Sequence, residues 1–206
     1  MFKEYLAVFL TLFLLACSPQ YDWRIVRNES LGFTAQFPAK PQQLERDIPY
    51  YFGGQSYLLK QYLQFAGVDE EIYSVMTIMV PPSLISETNP ILEQLKSKLL
   101  LEKEGQVAGP PQFDQITNKV SPKLNQGNNG AYKTDYYLRV NKPKGDARLM
   151  RTQWIMRPQS NGSVFIYQLS LIKPIPALAK TDTLLVIDKV FDNDNDNTFF
   201  DEFRAL

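Results

Sequence analysis

The sequence predicts an α+β fold: an antiparallel sheet of about six to eight strands with two main helices. Three observations carry that expectation. Apolar residues recur at period two through most of the chain between residues 23 and 172, the spacing of a half-buried strand. The last three of these runs are joined by short, turn-rich connections, which suit antiparallel neighbours in a meander. Two segments, one after Asn89 and one from Ala177, carry apolar residues at the wider spacing of a helix face. A length of 206 residues with 44% hydrophobic content suits a single packed domain.

The chain opens with Lys3 and an apolar run from Tyr5 to Ala16. As a helix this run reaches only about 18 Å, short of the roughly 30 Å hydrocarbon core, and it reads as the h-region of a signal peptide. It ends Leu14-Leu15-Ala16-Cys17, which resembles the bacterial lipobox, with a small residue before the bond to be cut and the chain's one cysteine after it. Residues 1–16 are then a lipoprotein signal peptide, 17–22 a lipidated Cys17 with a short tether, and 23–206 the globular domain. Acylation of Cys17 supplies the two or three chains that stable anchoring requires. Ser18, rather than Asp, at the next position resembles the pattern that sends lipoproteins to the outer membrane, on its periplasmic side. Once Cys17 is acylated no thiol is left, so the fold relies on its core rather than on disulfides.

Trp23 to Val26 and Gly32 to Pro38 read as strands around a turn at Asn28 to Leu31, with Phe33, Ala35 and Phe37 on one face. Pro38 and Pro41 stop the second. Gly53-Gly54 reads as a hairpin turn between Ile48–Phe52 and Gln55–Ala66. In the latter run Tyr57, Leu59, Leu63 and Phe65 share a face that only Gln61 interrupts. Glu71 to Val80 is apolar on both faces and reads as a central strand closed by Pro81-Pro82. A helix follows, with Asn89 as N-cap, Pro90 at its first position, and Ile91, Leu92, Leu95 and Leu99 on one stripe up to Gly105. Residues 106–129 read mostly as loop. Strands are expected over 131–140, 148–157 and 163–172, a second helix over Ala177 to Phe191, and a final amphipathic turn carrying Phe199, Phe200 and Phe203 back onto the body.

This order resembles the PsbP-like family. The matching residues are Gly32-Phe33-Thr34-Ala35-Gln36-Phe37-Pro38, the helix after Pro81-Pro82, the strand Val164-Phe165-Ile166-Tyr167, and Phe199-Phe200-Asp201-Glu202-Phe203, where Glu202 stands at the family's usual Ser. The resemblance covers about the whole mature chain through packing motifs of low specificity. It implies a single α/β/α sandwich and the role of an assembly or binding module, with no catalytic residue.

The chemistry the composition excludes is extensive. With 22 basic and 22 acidic side chains, the chain has no net charge to drive general nucleic-acid binding. It has no His and one Cys, which removes Ser-His-Asp and Cys-His catalysis and the usual zinc ligands. The glycine-rich nucleotide loops do not occur, and no cofactor is implied. Ser170-Leu171-Ile172-Lys173 matches Ser-x-x-Lys at a strand end without companion motifs, a chance match. Asp192, Asp194 and Asp196 alternate as in the start of a calcium loop, but Asn197 stands where the loop needs Gly and Phe203 where it needs Glu. The segment reads better as a solvated connection.

What remains is a non-enzymatic, lipid-anchored binding or assembly module of the cell envelope, its partner an envelope protein or an anionic lipid. The rival is a carrier holding an apolar ligand between sheet and helix, lined by Tyr132, Tyr136, Trp154, Phe165 and Tyr167. Arg139, Lys142, Lys144, Arg148 and Arg151 surround one strand connection whose only acid is Asp146. They form the candidate surface for an anionic partner. The competing reading pairs them with the acidic segment 182–202 of the same chain.

Overall fold

The computed structural model describes residues 21–100, 113–120, 133–140, 147–175, 190–191 and 194–206. Among them, ten strands and two helices are laid out in the order β1 (Arg24–Asn28), β2 (Phe33–Phe37), β3 (Gln42–Phe52), β4 (Gln55–Val68), β5 (Glu71–Val80), α1 (Thr88–Leu100), β6 (Phe113–Val120), β7 (Lys133–Val140), β8 (Ala147–Pro158), β9 (Val164–Ile175), α2 (Asp194–Asp201) and β10 (Arg204–Ala205). A 3-10 turn over Pro82–Glu87 leads into α1.

Two separate sheets result. A small one has the order β1-β2-β10, and a seven-stranded one has the order β3-β4-β5-β9-β8-β7-β6. Every pairing in both is antiparallel. The strands β3, β4, β5, β9 and β8 carry the described core, and β7 and β6 extend the sheet beyond them.

The single α/β/α sandwich on one sheet of six to eight strands with two main helices is therefore overturned: the described residues are mostly β, in two sheets, and the helices among them are short. The reason lies at Pro38 and Pro41. They end β2 before it can run on into the large sheet, so Phe33, Ala35 and Phe37 turn toward that sheet from a layer of their own and are all fully buried. A sheet covers the face where a helix was expected. The expected helix over 177–191 falls outside the described residues except for Val190 and Phe191, which are helical. The C-terminal helix α2 lies in the Asp/Asn run, where Asp194 and Asp196 occupy the first turn and favour the positive end of the helix dipole.

The large sheet sorts its side chains by parity, as pleating requires. On one face Leu59, Ile78, Val80, Val164 and Ile166 pack with Leu84 and with Ile91, Leu92 and Leu95 of α1. On the other, Tyr73, Val75, Tyr167, Leu169 and Leu171 pack with the small sheet and with Phe199, Phe200 and Phe203. The three C-terminal phenylalanines are buried as the sequence predicted. Phe199 meets Tyr73 edge-on at 5.4 Å and Phe203 meets Tyr167 at 5.3 Å, both preferred aromatic geometries.

Local chemistry fits these elements. Gly53 and Gly54 have φ of 58° and 77°, the left-handed pair that a two-residue hairpin between right-twisted strands demands. Helix α1 begins at Thr88, before the expected N-cap Asn89, because the 3-10 turn feeds directly into it and the Ile85 carbonyl accepts from the Thr88 backbone N–H and hydroxyl. Along the free edge of β3, Pro49 and the charged Glu45, Arg46 and Asp47 discourage pairing with another chain.

Candidate functional site

The face shared by the two sheets holds two groups of buried polar side chains, one at each end. The first is built on Lys173 near the end of β9. Its ammonium lies 2.7 Å from Asp196 Oδ1 of α2 and 3.1 Å from Glu71 Oε1 of β5. Tyr73 donates to Glu71 Oε2 at 2.8 Å, and Tyr21 approaches the same oxygen at 3.3 Å. Beside them Arg151 of β8 donates to Asn197 Oδ1 at 3.2 Å and lies 4.2 Å from the Phe200 ring centroid, a cation–π contact. Asp196 is fully buried; the loss of water pushes its carboxyl above the usual range, and the Lys173 ammonium only partly opposes this. Burial likewise raises the Tyr73 phenol, with the Glu71 carboxylate adding to the effect. This constellation clasps the C-terminal helix to the large sheet.

The second group lines a cleft of about 380 Å³. Its wall is the turn between β1 and β2, represented by Asn28, Ser30 and Leu31, and its floor is made by Gln43 and Glu45 of β3 with Tyr62 and Gln64 of β4. Met79, Phe165 and Leu44 complete it. Register explains the gathering: Gln43 stands opposite Gln64, Glu45 opposite Tyr62, and Tyr62 opposite Thr77 on β5. The wall is held firmly. Asn28 Oδ1 accepts from the Ser30 hydroxyl at 2.9 Å and from the Leu31 N–H at 3.0 Å. The Tyr167 hydroxyl sits 2.9 Å from the Leu31 and Gly32 carbonyl oxygens. Gly32 has φ of 63°, and a Cβ there would fall 3.2 Å from that hydroxyl, so the position suits glycine twice over.

Two polar atoms are left over, one on the floor and one beneath it. Gln64, in the lining, is 3% exposed and Thr77, outside the lining, is fully buried, and neither Gln64 Oε1 nor Thr77 Oγ1 has a hydrogen-bond partner. The two residues are diagonal neighbours on adjacent strands. Comparison with known protein families and with curated proteins finds no match for this chain.

The residues singled out from the sequence are dispersed. Arg148 and Arg151 lie on opposite faces of β8, because the side-chain period is two. Arg139 stands opposite Arg148 in register. Arg148 reaches the Glu70 carbonyl at 3.3 Å, whereas Arg151 is buried against α2. The Arg151 guanidinium is thus turned toward Asn197 and Phe200 of α2, inside the body. Lys142 and Lys144 lie outside the described residues, as do Cys17 and Asp192. Asp194 is exposed at the start of α2 while Asp196 is buried on Lys173, so these two do not converge on a cation. Among the described residues no cluster of three or more acids, Cys or His is placed to hold a metal. No helix among them is long and apolar enough to cross a membrane.

The aromatic lining expected for an apolar carrier is likewise split. Phe165 and Tyr167 face the small sheet and Trp154 the opposite side of the large one, with α1. Tyr132 lies outside the described residues, and Tyr136 is placed only by its position in β7. The sequence reading missed Glu71, Tyr73, Gln64 and Thr77. The last two carry no distinguishing sequence signal, because Gln64 is one of several polar residues in β4 and Thr77 one of several in β5.

Proposed function

We propose that this protein is a lipid-anchored, non-enzymatic binding module of the bacterial cell envelope, held by Cys17 at the outer membrane and facing the periplasm. The observation that carries the reading is the cleft between the β1–β2 turn and the floor of β3 and β4, whose wall is fastened to Tyr167 and whose floor keeps the buried Gln64 Oε1 uncommitted. Its volume of about 380 Å³ lies within the roughly 300–1,000 Å³ of small-molecule sites. The lipobox residues Leu14-Leu15-Ala16-Cys17 support the anchor. Because Tyr21 already docks on Glu71, the tether is no longer than residues 18–20 and keeps the domain within about 10 Å of the bilayer, where envelope ligands are concentrated.

Two experiments test this. Cys17→Ala is expected to leave the salt-washed membrane pellet; a variant that matures and stays there overturns the anchor. In membranes, a photo-crosslinking residue at Gln43 on the cleft rim is expected to give a discrete adduct, whereas the same residue at the exposed Met156, on the opposite face of the large sheet, gives none. Equal labelling from both positions, or none from either, removes the cleft as the binding site.

A further inference from the structure

Resting on the binding-module reading, we propose that the cleft takes an uncharged hydroxylated ligand, a saccharide of one or two rings, with a ligand hydroxyl donating to Gln64 Oε1. The argument begins with two glutamines on one strand. Gln61 and Gln64 are both buried, at 5% and 3% exposure, on opposite faces of β4. Gln61 is engaged by the protein, its Oε1 accepting from Arg46 Nε and its Nε2 lying 2.6 Å from Met76 Sδ. Gln64 Oε1, beside the cleft, accepts from nothing. A buried amide oxygen without a donor is rare in a folded protein and calls for an explanation. The Thr77 hydroxyl, diagonal to it and equally without a partner, makes the deficit a local one.

The missing partner must donate through O–H or N–H. Its charge is limited by the lining. Among the described residues Glu45 is the only carboxylate in the lining and is already paired with Lys60 at 3.2 Å, and no described Lys or Arg lines the cleft. An anion would find no cation and a repelling carboxylate, which disfavours phosphates and fatty acids. The polar members, Asn28, Ser30, Gln43, Glu45, Tyr62 and Gln64, alternate with apolar surface from Leu31, Leu44, Met79 and Phe165. Such a mixture suits a ring that carries hydroxyls on its rim and C–H groups on its faces. The volume fits one or two such rings.

The test uses the full-length protein in detergent micelles, titrated calorimetrically with chitobiose, cellobiose and maltose, and with laurate as the apolar comparison. At least one disaccharide is expected to bind saturably at millimolar concentration or below. Gln64→Met keeps the side-chain length and removes the acceptor. It is expected to weaken that binding tenfold or more while the melting temperature holds or rises. Gln61→Met is the structural control: it strips Arg46 of its acceptor, lowers the melting temperature and leaves the affinity unchanged. Absence of saturable binding by all three disaccharides, or an affinity that Gln64→Met does not change, overturns the proposal. Binding of laurate alone also overturns it but leaves the binding-module reading standing. That reading falls separately, through the crosslinking from Gln43.

Discussion

The two ends of the inter-sheet layer treat buried polarity in opposite ways. At the clasp, Lys173, Asp196, Glu71, Tyr73 and Tyr21 come from β9, α2, β5 and the segment before β1, and they meet one another within hydrogen-bonding distance. At the cleft, Gln64 and Thr77 sit on neighbouring strands under the β1–β2 turn with Gln64 Oε1 and Thr77 Oγ1 unanswered. Buried charges are tolerated when paired, and breaking one pair costs far more than the pair contributes over apolar packing. An unanswered neutral oxygen costs less, about 1–3 kcal/mol, small enough for a fold to carry if a ligand is to repay it. The clasp is thus where the chain closes on itself, and the cleft where it stays open to something else.

The largest effect should come from removing the closing element altogether. Deleting Thr198–Leu206 takes away β10 and the three buried phenylalanines 199, 200 and 203. Each contributes on the order of 2 kcal/mol against a typical total of about 5–15 kcal/mol, so the truncated chain should show no cooperative thermal transition. A normal melt would mean that the C-terminal layer is dispensable.

Next is Lys173→Met, which leaves Asp196 and Glu71 facing each other without their cation. A loss of about 3–5 kcal/mol near neutral pH is expected from urea denaturation. Part of it should return on acidification. Asp196 has its folded carboxyl raised by burial, so its contribution is greatest below its ordinary value of 3.8 and is lost as pH climbs through the raised value. Removing Lys173 takes away the group that opposes the shift and steepens this dependence. A variant deficit that is the same at about pH 4 as at about pH 7 would show that the pair is not what holds α2.

The cleft should respond in the reverse sense. Gln64→Met is expected to raise stability by about 1 kcal/mol, since it removes an unanswered buried oxygen at nearly constant volume. A destabilisation of similar size would mean that the oxygen is satisfied within the fold, and the contrast with the clasp would disappear. The smallest effect is expected at Arg148→Ser. Its guanidinium reaches only a surface carbonyl, and the change in melting free energy should stay within about 0.5 kcal/mol. A larger loss would place Arg148 in the same category as the buried Arg151.

Local elements were readable because local forces make them. Alternation of Phe33, Ala35 and Phe37 marks a strand whichever sheet receives it, and Gly53-Gly54 demands its hairpin turn through backbone sterics alone. The stripe of Ile91, Leu92 and Leu95 needs only a helical period and an apolar surface to bury against. Even the destination of Phe199, Phe200 and Phe203 was legible, because three aromatics at that spacing have no stable alternative to burial. Read from the residues alone, the chain was therefore expected to carry antiparallel strands, a sheet-covering helix and an aromatic C-terminal clamp, and the structure has all three.

Tertiary structure alone decided which layer each strand joined and which polar residues met. Whether β2 extends the large sheet or faces it depends on how the chain turns through Pro38 and Pro41, a long-range choice that period-two alternation does not encode. The basic cluster near residues 139–151 looked like one patch in one dimension, yet pleating sends Arg148 and Arg151 to opposite faces, and α2 closes over the second. Glu71, Lys173 and Asp196 lie far apart in sequence and become partners only because β9 inserts between β5 and β8 and α2 folds back over them. Sequence spacing reports which face of its own element a residue occupies, whereas a buried polar contact is a property of what the opposite layer brings to that face.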